Sequence, residues 1–358
     1  MTALTRFHGA WRSRPADETF ESLYALGAAV KYFKESADEK LISSKQVMLR
    51  ADPADLTEGL AVETEGGLVI PTHWSLGQLC GLVNAPPRYI RSLWAALIAD
   101  NLNFGFRFRR DISEMKMLTG LNREGIPELR AATGPDYGRI WNTDLVDQMI
   151  GMFGDGVGGQ WKHAGAKRGG STIFGSDRDV WMFLTDEENK IDAGDGSKIS
   201  RGIAVSNSEV GSGSVYMAAF GFRDLCMNRT FFGISGLHET RIRHTVTAPD
   251  RWKDEVLPVL EAFSKAEPTG IAETIQNARQ AKLDKDADEF LVSRFGATID
   301  WAKEVQAIHE AEEGRPIETI WDVVNGVTAK ARAIPHQDRR VALERQAGKL
   351  LDLVAVPA

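Results

Sequence analysis

Apolar residues recur at helical spacing over residues 16–35, where Phe20, Leu23, Leu26, Ala29, Val30 and Phe33 fall on one face. Two strand-like runs follow, Lys45–Arg50 and Gly59–Thr72, the second turning at Glu65-Gly66-Gly67. His73–Leu97 reads as two short helices split by Asn84-Ala85-Pro86-Pro87, with Ser75 capping the first and the prolines opening the second. Residues 104–132 read as strands or hairpins, because Phe104, Phe106 and Phe108 alternate with Gly105, Arg107 and Arg109. Asn142–Phe153 predicts a further helix.

From Gly154 to Thr247 glycine is frequent and the pattern is strand-like at Gly170–Gly175, Val180–Thr185, Arg201–Asn207, Ser214–Phe222 and His238–Val246. No helix of crossover length alternates with these strands, so the sheet they form is expected to be antiparallel. After Ala248 the pattern is helical to the end, over Asp254–Ala266, Ile271–Lys282, Asp286–Ile308, Ile317–Ala331 and Asp338–Val354. The expected fold class is α+β, an antiparallel β-rich body with inserted helices and an α-helical C-terminal region. The expected divisions are 1–72 (an N-terminal helix and β segment), 73–247 (the β-rich body with its helical hairpin) and 248–358 (the helical region).

A hydrophobic content of 43% in 358 residues supports a well-filled core, and a net charge of −7 argues against wholesale electrostatic binding of nucleic acid or membranes. It leaves room for a local basic groove. Two cysteines, Cys80 and Cys226, indicate neither a disulfide framework nor a cysteine-based zinc site. Met1–Trp11 has no apolar core of signal-peptide length and no window is apolar enough to span a bilayer, so a cytoplasmic protein without a membrane partner is expected.

Catalytic and cofactor motifs fail on their context. Gly154-Asp-Gly156-Val-Gly-Gly159 has dinucleotide-fingerprint spacing, but a helix precedes it where a strand is needed. Gly165-Ala-Lys-Arg-Gly-Gly170-Ser-Thr172 lacks the lysine that would reach a nucleotide's β- and γ-phosphates. His309-Glu310 begins a metalloprotease-like helix, yet Glu313 stands where the second histidine belongs. Asp192-Ala-Gly-Asp195-Gly196 is too short for a calcium loop. Neither a cofactor nor a metal is implied.

The most distinctive stretch is Arg201-Gly-Ile-Ala-Val-Ser-Asn207-Ser208-Glu209-Val-Gly211, followed by Phe222-Arg223-Asp-Leu-Cys226-Met-Asn228-Arg229 and by Arg243-His244. It resembles the domain of unknown function 932 family of phage- or plasmid-like proteins, in which Asn-Ser-Glu-x-Gly precedes Arg-x-x-Cys-x-Asn-Gly and, later, an Arg-His pair. Ile320-Trp321-Asp-Val-Val-Asn325-Gly-Val-Thr328 is similar to that family's helical end, and Leu129–Thr133 with Tyr137 to its Ser-x-Arg-Tyr region. The resemblance covers about 75–330 and departs at Arg229, where glycine is usual. It implies a mobile-element origin and brings no established activity.

Two readings of the polar set stand side by side. Asn207, Ser208 and Glu209 at a strand end can simply build a turn, with Gly211 supplying positive φ. Alternatively Glu209, Arg223 and His244 converge and do acid–base or phosphate chemistry. A nucleic-acid surface would use Trp161, Lys162, Lys167 and Arg168 in a glycine-rich loop, together with Arg223, Arg229, Arg241 and Arg243 near Phe231 and Phe232. The expectation drawn from these is a DNA-binding accessory protein, single-stranded DNA preferred, with annealing in recombination as its most concrete form and a homo-oligomer as its working state. An interaction or assembly protein of a phage, such as a host-defence countermeasure, and an enzyme acting on nucleic acid are the alternatives.

Overall fold

A computed structural model of the chain describes residues 11–109, 114–164, 171–194, 196–223, 227–235, 237, 239–268 and 270–354. The elements run β1 (Glu18–Phe20), α1 (Leu23–Glu35), β2 (Asp38–Ser43), β3 (Met48–Asp52), β4 (Asp55–Thr64), β5 (Gly67–Pro71), α2 (His73–Leu82), α3 (Pro87–Ile90), α4 (Ala95–Phe108), β6 (Glu114–Leu121), β7 (Pro127–Thr133) and α5 (Asn142–Phe153). The β-rich stretch follows: β8 (Trp161–His163), β9 (Ile173–Gly175), β10 (Val180–Asp192), β11 (Lys198–Asn207), β12 (Val215–Arg223), β13 (Asn228–Phe231) and β14 (Glu239–Ile242). The C-terminal helices are α6 (Ala248–Arg251), α7 (Leu257–Lys265), α8 (Ile271–Gln280), α9 (Ala287–Phe295), α10 (Ile299–Glu313), α11 (Ile320–Ala331) and α12 (Gln337–Asp352).

Two sheets organise this α+β fold. The larger is antiparallel in the order β1-β9-β10-β11-β12-β13, with β8 also on β10 and β14 also on β12. The smaller runs β2-β6-β7-β5-β4-β3 and is antiparallel except where β5 meets β7. Strands β10 to β12 carry apolar side chains in unbroken runs because both faces of their sheet are covered. Val180, Met182, Leu184, Val205 and Met217 enter the main core with α1, α5 and the C-terminal helices. Trp181, Phe183, Ala204, Tyr216 and Phe220 enter a second core on the opposite face, closed by Val341 of α12. The smaller sheet packs on α2 and α4 through Leu49, Val62, Leu79, Ile98, Leu102 and Phe106.

Helix α12 reaches the larger sheet because Gly348 has no side chain: an ideal Cβ there would lie 1.7 Å from the carbonyl oxygen of Phe231. A buried ion pair, Arg229 Nη2 to Glu344 at 3.0 Å, ties the same helix to β13, and the guanidinium also sits 3.8 Å from the Phe183 ring centroid.

Three local expectations change. Residues 104–108 belong to helix α4, not to a strand, because Ala95, Ile98, Ala99, Leu102 and Phe106 bury at helical spacing and override the short Phe/Arg alternation. Only Phe106 of that run points inward, while Phe104 and Phe108 are exposed. Helix α2 starts one turn early, capped by Thr72 Oγ1 accepting from the Ser75 amide, and Ser75 itself donates to the Leu129 carbonyl at 2.6 Å. The expected helix at 286–308 divides at Gly296, a left-handed C-cap with φ of 60°. Among the described residues no helix is long and apolar enough to cross a membrane.

Candidate functional site

Pairing across the larger sheet lines up one transverse row. Trp181 of β10 pairs with Ser206 of β11, Ser206 with Tyr216 of β12, and Tyr216 with Arg241 of β14. Directly paired residues share a face, so these four side chains stand on one side of the sheet, the side that α12 covers. The N-terminal half of α12 leaves a cleft of about 330 Å³ above them, lined also by Trp74, Arg178, Asp179, Ser208, Ser212, Ser214, Asp338 and Arg345.

The wall is rich in hydrogen-bond donors. Trp181 is 8% and Tyr216 2% exposed, and neither the indole Nε1 nor the phenol Oη has a partner among the described residues; Arg178 Nε has none either. Buried donors left open in this way cost free energy unless a ligand or water meets them. Arg241 and Arg345 hold their guanidinium carbons 4.8 and 5.5 Å from the Tyr216 ring centroid. Both donate to one carboxylate, Glu239, each Nε at 2.6 Å, so two cations share a single anion at the cleft's rim. Arg178 lies 5.0 Å from the Trp74 ring centroid and donates to His73 Nδ1 at 2.7 Å. Burial and the neighbouring arginines Arg91, Arg178 and Arg14 push His73 down to about 4, so it is a neutral acceptor for Arg178 at neutral pH.

The acidic groups nearby are largely engaged or neutralised. Asp338 accepts from Arg14 Nη1 at 3.0 and 2.9 Å and from the Arg339 amide at 2.9 Å. Burial, reinforced by Asp17, pushes the Asp179 carboxyl up to about 7. A cleft of this kind favours a ligand that brings acceptors and negative charge.

Most residues expected at a nucleic-acid surface lie elsewhere. Trp161 is on β8 rather than an open loop, buried between Phe153 and Phe263 with its ring beneath Arg201, so no base can reach it. Arg223 and Arg229 are likewise buried: Arg223 pairs with Glu313, and Arg229 with Glu344. Arginines locked on carboxylates in the interior cannot follow a phosphate backbone and a buried indole cannot stack on a base, which corrects the expectation for all three. Lys162 is half-buried on β8 and Arg243 is exposed beyond β14. Lys167 and Arg168 lie outside the described residues. Of the described members of the set, Arg241 alone lines the cleft.

The alternative reading, in which Glu209, Arg223 and His244 converge, is not what the structure has. Arg223 is paired with Ile199 at one end of β11, and Glu209 follows Asn207 at the other. The eight residue steps from Ile199 to Asn207 span about 26 Å of strand. His244 Nδ1 donates to the Gly138 carbonyl at 3.0 Å and its ring stacks on Tyr137.

The Asn207-Ser208-Glu209 segment is instead the joint between the sheets. Asn207 Nδ2 donates to the Ile140 carbonyl and to Asn142 Oδ1, both at 2.8 Å. Glu209 accepts from Arg130 Nη2 of β7 at 2.6 Å and from the Asn142 amide at 3.1 Å. Trp74 and Gln78 of α2 donate to the Val210 carbonyl at 3.0 and 2.8 Å. Ser208 Oγ donates to the Arg178 carbonyl at 2.7 Å, which fixes the β9–β10 turn that presents Arg178 to the cleft.

Comparison with known families finds a domain of unknown function (DUF932) matching residues 131–347. The chain belongs to this family. No curated protein and no protein of solved structure matches it. The DUF932 match takes in Asn207–Glu209, the whole transverse row and α12 as far as Ala347, whereas Arg130, Gln78, Trp74 and Arg14 come from outside the matched span.

Trp74, Trp181, Tyr216, Arg178 and Arg345 were not singled out by sequence. One signal was present: Ser206 and Ser208, then Ser212 and Ser214, crowd the β11–β12 connection, and all four line the cleft. A second cavity, about 490 Å³ beneath α1, has Glu128 pushed up by burial to about 7, but its arginines are already committed, Arg123 to Glu18 and Arg130 to Glu209.

Proposed function

We propose that the protein binds nucleic acid by seating the phosphate of an unpaired nucleotide in the cleft beneath α12. The observation that carries this reading is the set of open buried donors, Trp181 Nε1, Tyr216 Oη and Arg178 Nε, beside two arginines that share one carboxylate. Phosphate oxygens are acceptors only and carry the opposite charge, so they satisfy both features at once. Single-stranded DNA is the partner we favour, and a phage or plasmid setting with annealing in recombination belongs to the same reading. The cations available are local, which suits a molecule of net charge −7 that cannot hold a strand by its overall field.

A second reading, a free phosphorylated small molecule, is favoured by the volume of the cleft, which lies at the small end of ligand pockets. It is also favoured by the engagement of Arg223 and Arg229 inside the fold.

The deciding experiment is a tryptophan-fluorescence titration at two salt concentrations. The ligands are a short 5′-phosphorylated oligothymidylate, its unphosphorylated form, a nucleoside monophosphate and inorganic phosphate. Salt-sensitive strand binding that Arg241→Ala and Arg345→Ala weaken about tenfold or more supports nucleic acid. Equal affinity for monophosphate and strand supports the small-molecule reading, and no binding of any phosphate at low salt removes both.

A further inference from the structure

Helix α4 buries Ala95, Ile98, Ala99, Leu102 and Phe106 against the smaller sheet. On another side it presents a stripe that no other described element covers: Trp94 at its N-cap, then Leu97, Asn101, Phe104 and Phe108. The four apolar members are 60%, 48%, 65% and 58% exposed, and Phe104 and Phe108 already touch, with ring centroids 4.5 Å apart. Steps of three, four, three and four residues keep all five positions on one line down the helix, the spacing of a helix–helix seam with a polar residue at its centre.

We propose that α4 is the two-fold interface of a homodimer, packing antiparallel against α4 of a second copy. The stripe is nearly symmetric about Asn101, with Trp94 and Phe108 seven residues to either side and Leu97 and Phe104 four and three. A patch that matches its own reversal is what a closed isologous contact requires. Reversal sets Trp94 opposite Phe108 of the second copy, and Leu97 opposite its Phe104.

Charge selects the same arrangement. Asp100 and Arg107 are exposed on one rim of the stripe, seven residues apart, and neither has an ion-pair partner among the described residues. In an antiparallel pair the like rims face each other, so Asp100 of each copy meets Arg107 of the other, twice by symmetry. A parallel pair would not bring them together. The stripe offers roughly 400 Å² of apolar surface per copy, taking 150–250 Å² for a whole aromatic side chain. That is about half of what one partner gives to a stable interface of ~800 Å². Tyr89, 60% exposed on α3, and the charged rim extend it.

The test is sedimentation equilibrium of the full-length chain over micromolar concentrations, with circular dichroism to show that each variant folds. The expected mass is twice 39.4 kDa. Phe104→Glu should give a folded monomer. Asp100→Arg should raise the dimer dissociation constant about tenfold, since it turns two attractions into repulsions. Adding Arg107→Asp to Asp100→Arg should restore it, an outcome that mere surface change would not produce. A wild-type chain that stays monomeric at ~100 µM overturns the proposal. So does a dimer that survives Phe104→Glu, or a charge reversal that the second substitution fails to rescue. If the monomer dimerises only after residues 2–10 are removed, the stripe's occupant is the chain's own N-terminus and the proposal also falls.

Discussion

Arg241 stacks on Tyr216 directly across the β12–β14 pair, its guanidinium carbon 4.8 Å from the ring centroid. The stacking holds a cation at the mouth of the cleft while its Nε is held by Glu239. Removing the guanidinium by Arg241→Ala leaves Glu239 to Arg345 alone and lowers the positive charge at the rim by one. Binding of a phosphorylated strand should weaken about tenfold, with the slope of log affinity against log salt falling by ~0.7. Calorimetric titration at two or more salt concentrations measures both; an unchanged slope would detach Arg241 from the phosphate.

Asp179 makes phosphate binding depend on pH. Its carboxyl, pushed up to about 7 by burial and by Asp17, is neutral below that value and repels an anion above it. Affinity for inorganic phosphate or a phosphorylated strand should therefore rise as pH falls from 8 through 7. Asp179→Asn should flatten that profile. A pH series of fluorescence titrations, corrected for the ligand's own ionisation with the Asn variant, decides it.

The same residue affects stability with a definite sign. The folded-state value of about 7 lies above the usual 3.8, so the folded protein binds this proton more tightly than the unfolded chain. The stability from this group is complete below about 3.8 and is lost as pH rises through 7. Asp179→Asn should thus raise Tm by several degrees at pH 8 and leave it nearly unchanged at pH 4. Thermal unfolding at the two pH values is the measurement, and equal shifts at both would contradict the assignment.

Gly348 sets how closely α12 approaches β13. With an ideal Cβ only 1.7 Å from the Phe231 carbonyl oxygen, Gly348→Ala forces the helix away from the sheet. A loss of about 3 kcal/mol is expected from overpacking. Chemical denaturation measures it, and cleft binding should weaken in the same variant because Arg345 and Asp338 ride on α12.

Arg229 and Glu344 should couple strongly. Glu344→Leu leaves the Arg229 charge uncompensated inside the fold and should cost about 3–5 kcal/mol, whereas Arg229→Met should cost less, because Arg340 Nε still donates to Glu344 at 2.8 Å. The double substitution should recover most of that loss. A double-mutant cycle by urea unfolding reads the coupling, and additive costs would mean that the pair is not the tie that holds α12.

Much of the fold was legible in residue pattern. Helix α5 begins and ends where its periodicity does, at Asn142 and Phe153, and β10, β11 and β12 fall on the expected apolar runs. The C-terminal helices were visible because glycine and proline mark their ends, and the kinship rests on Asn207, Ser208, Glu209 and Gly211, consecutive or nearly so in the chain. These are local properties, determined by φ/ψ preference and side-chain period within a few residues.

What lies on which side of the sheet, and beside what, was decided only in three dimensions. Arg223, Arg229 and Arg241 look alike in sequence. Register against β11, β13 and α12 buries the first two on Glu313 and Glu344 and sets the third at the rim of a cleft. Trp181, Ser206, Tyr216 and Arg241 are scattered over 61 positions and become neighbours because three antiparallel pairings bring them into one row. Strand register and helix docking depend on contacts between residues far apart in the chain, which no local pattern encodes, and the candidate site consists almost entirely of such contacts.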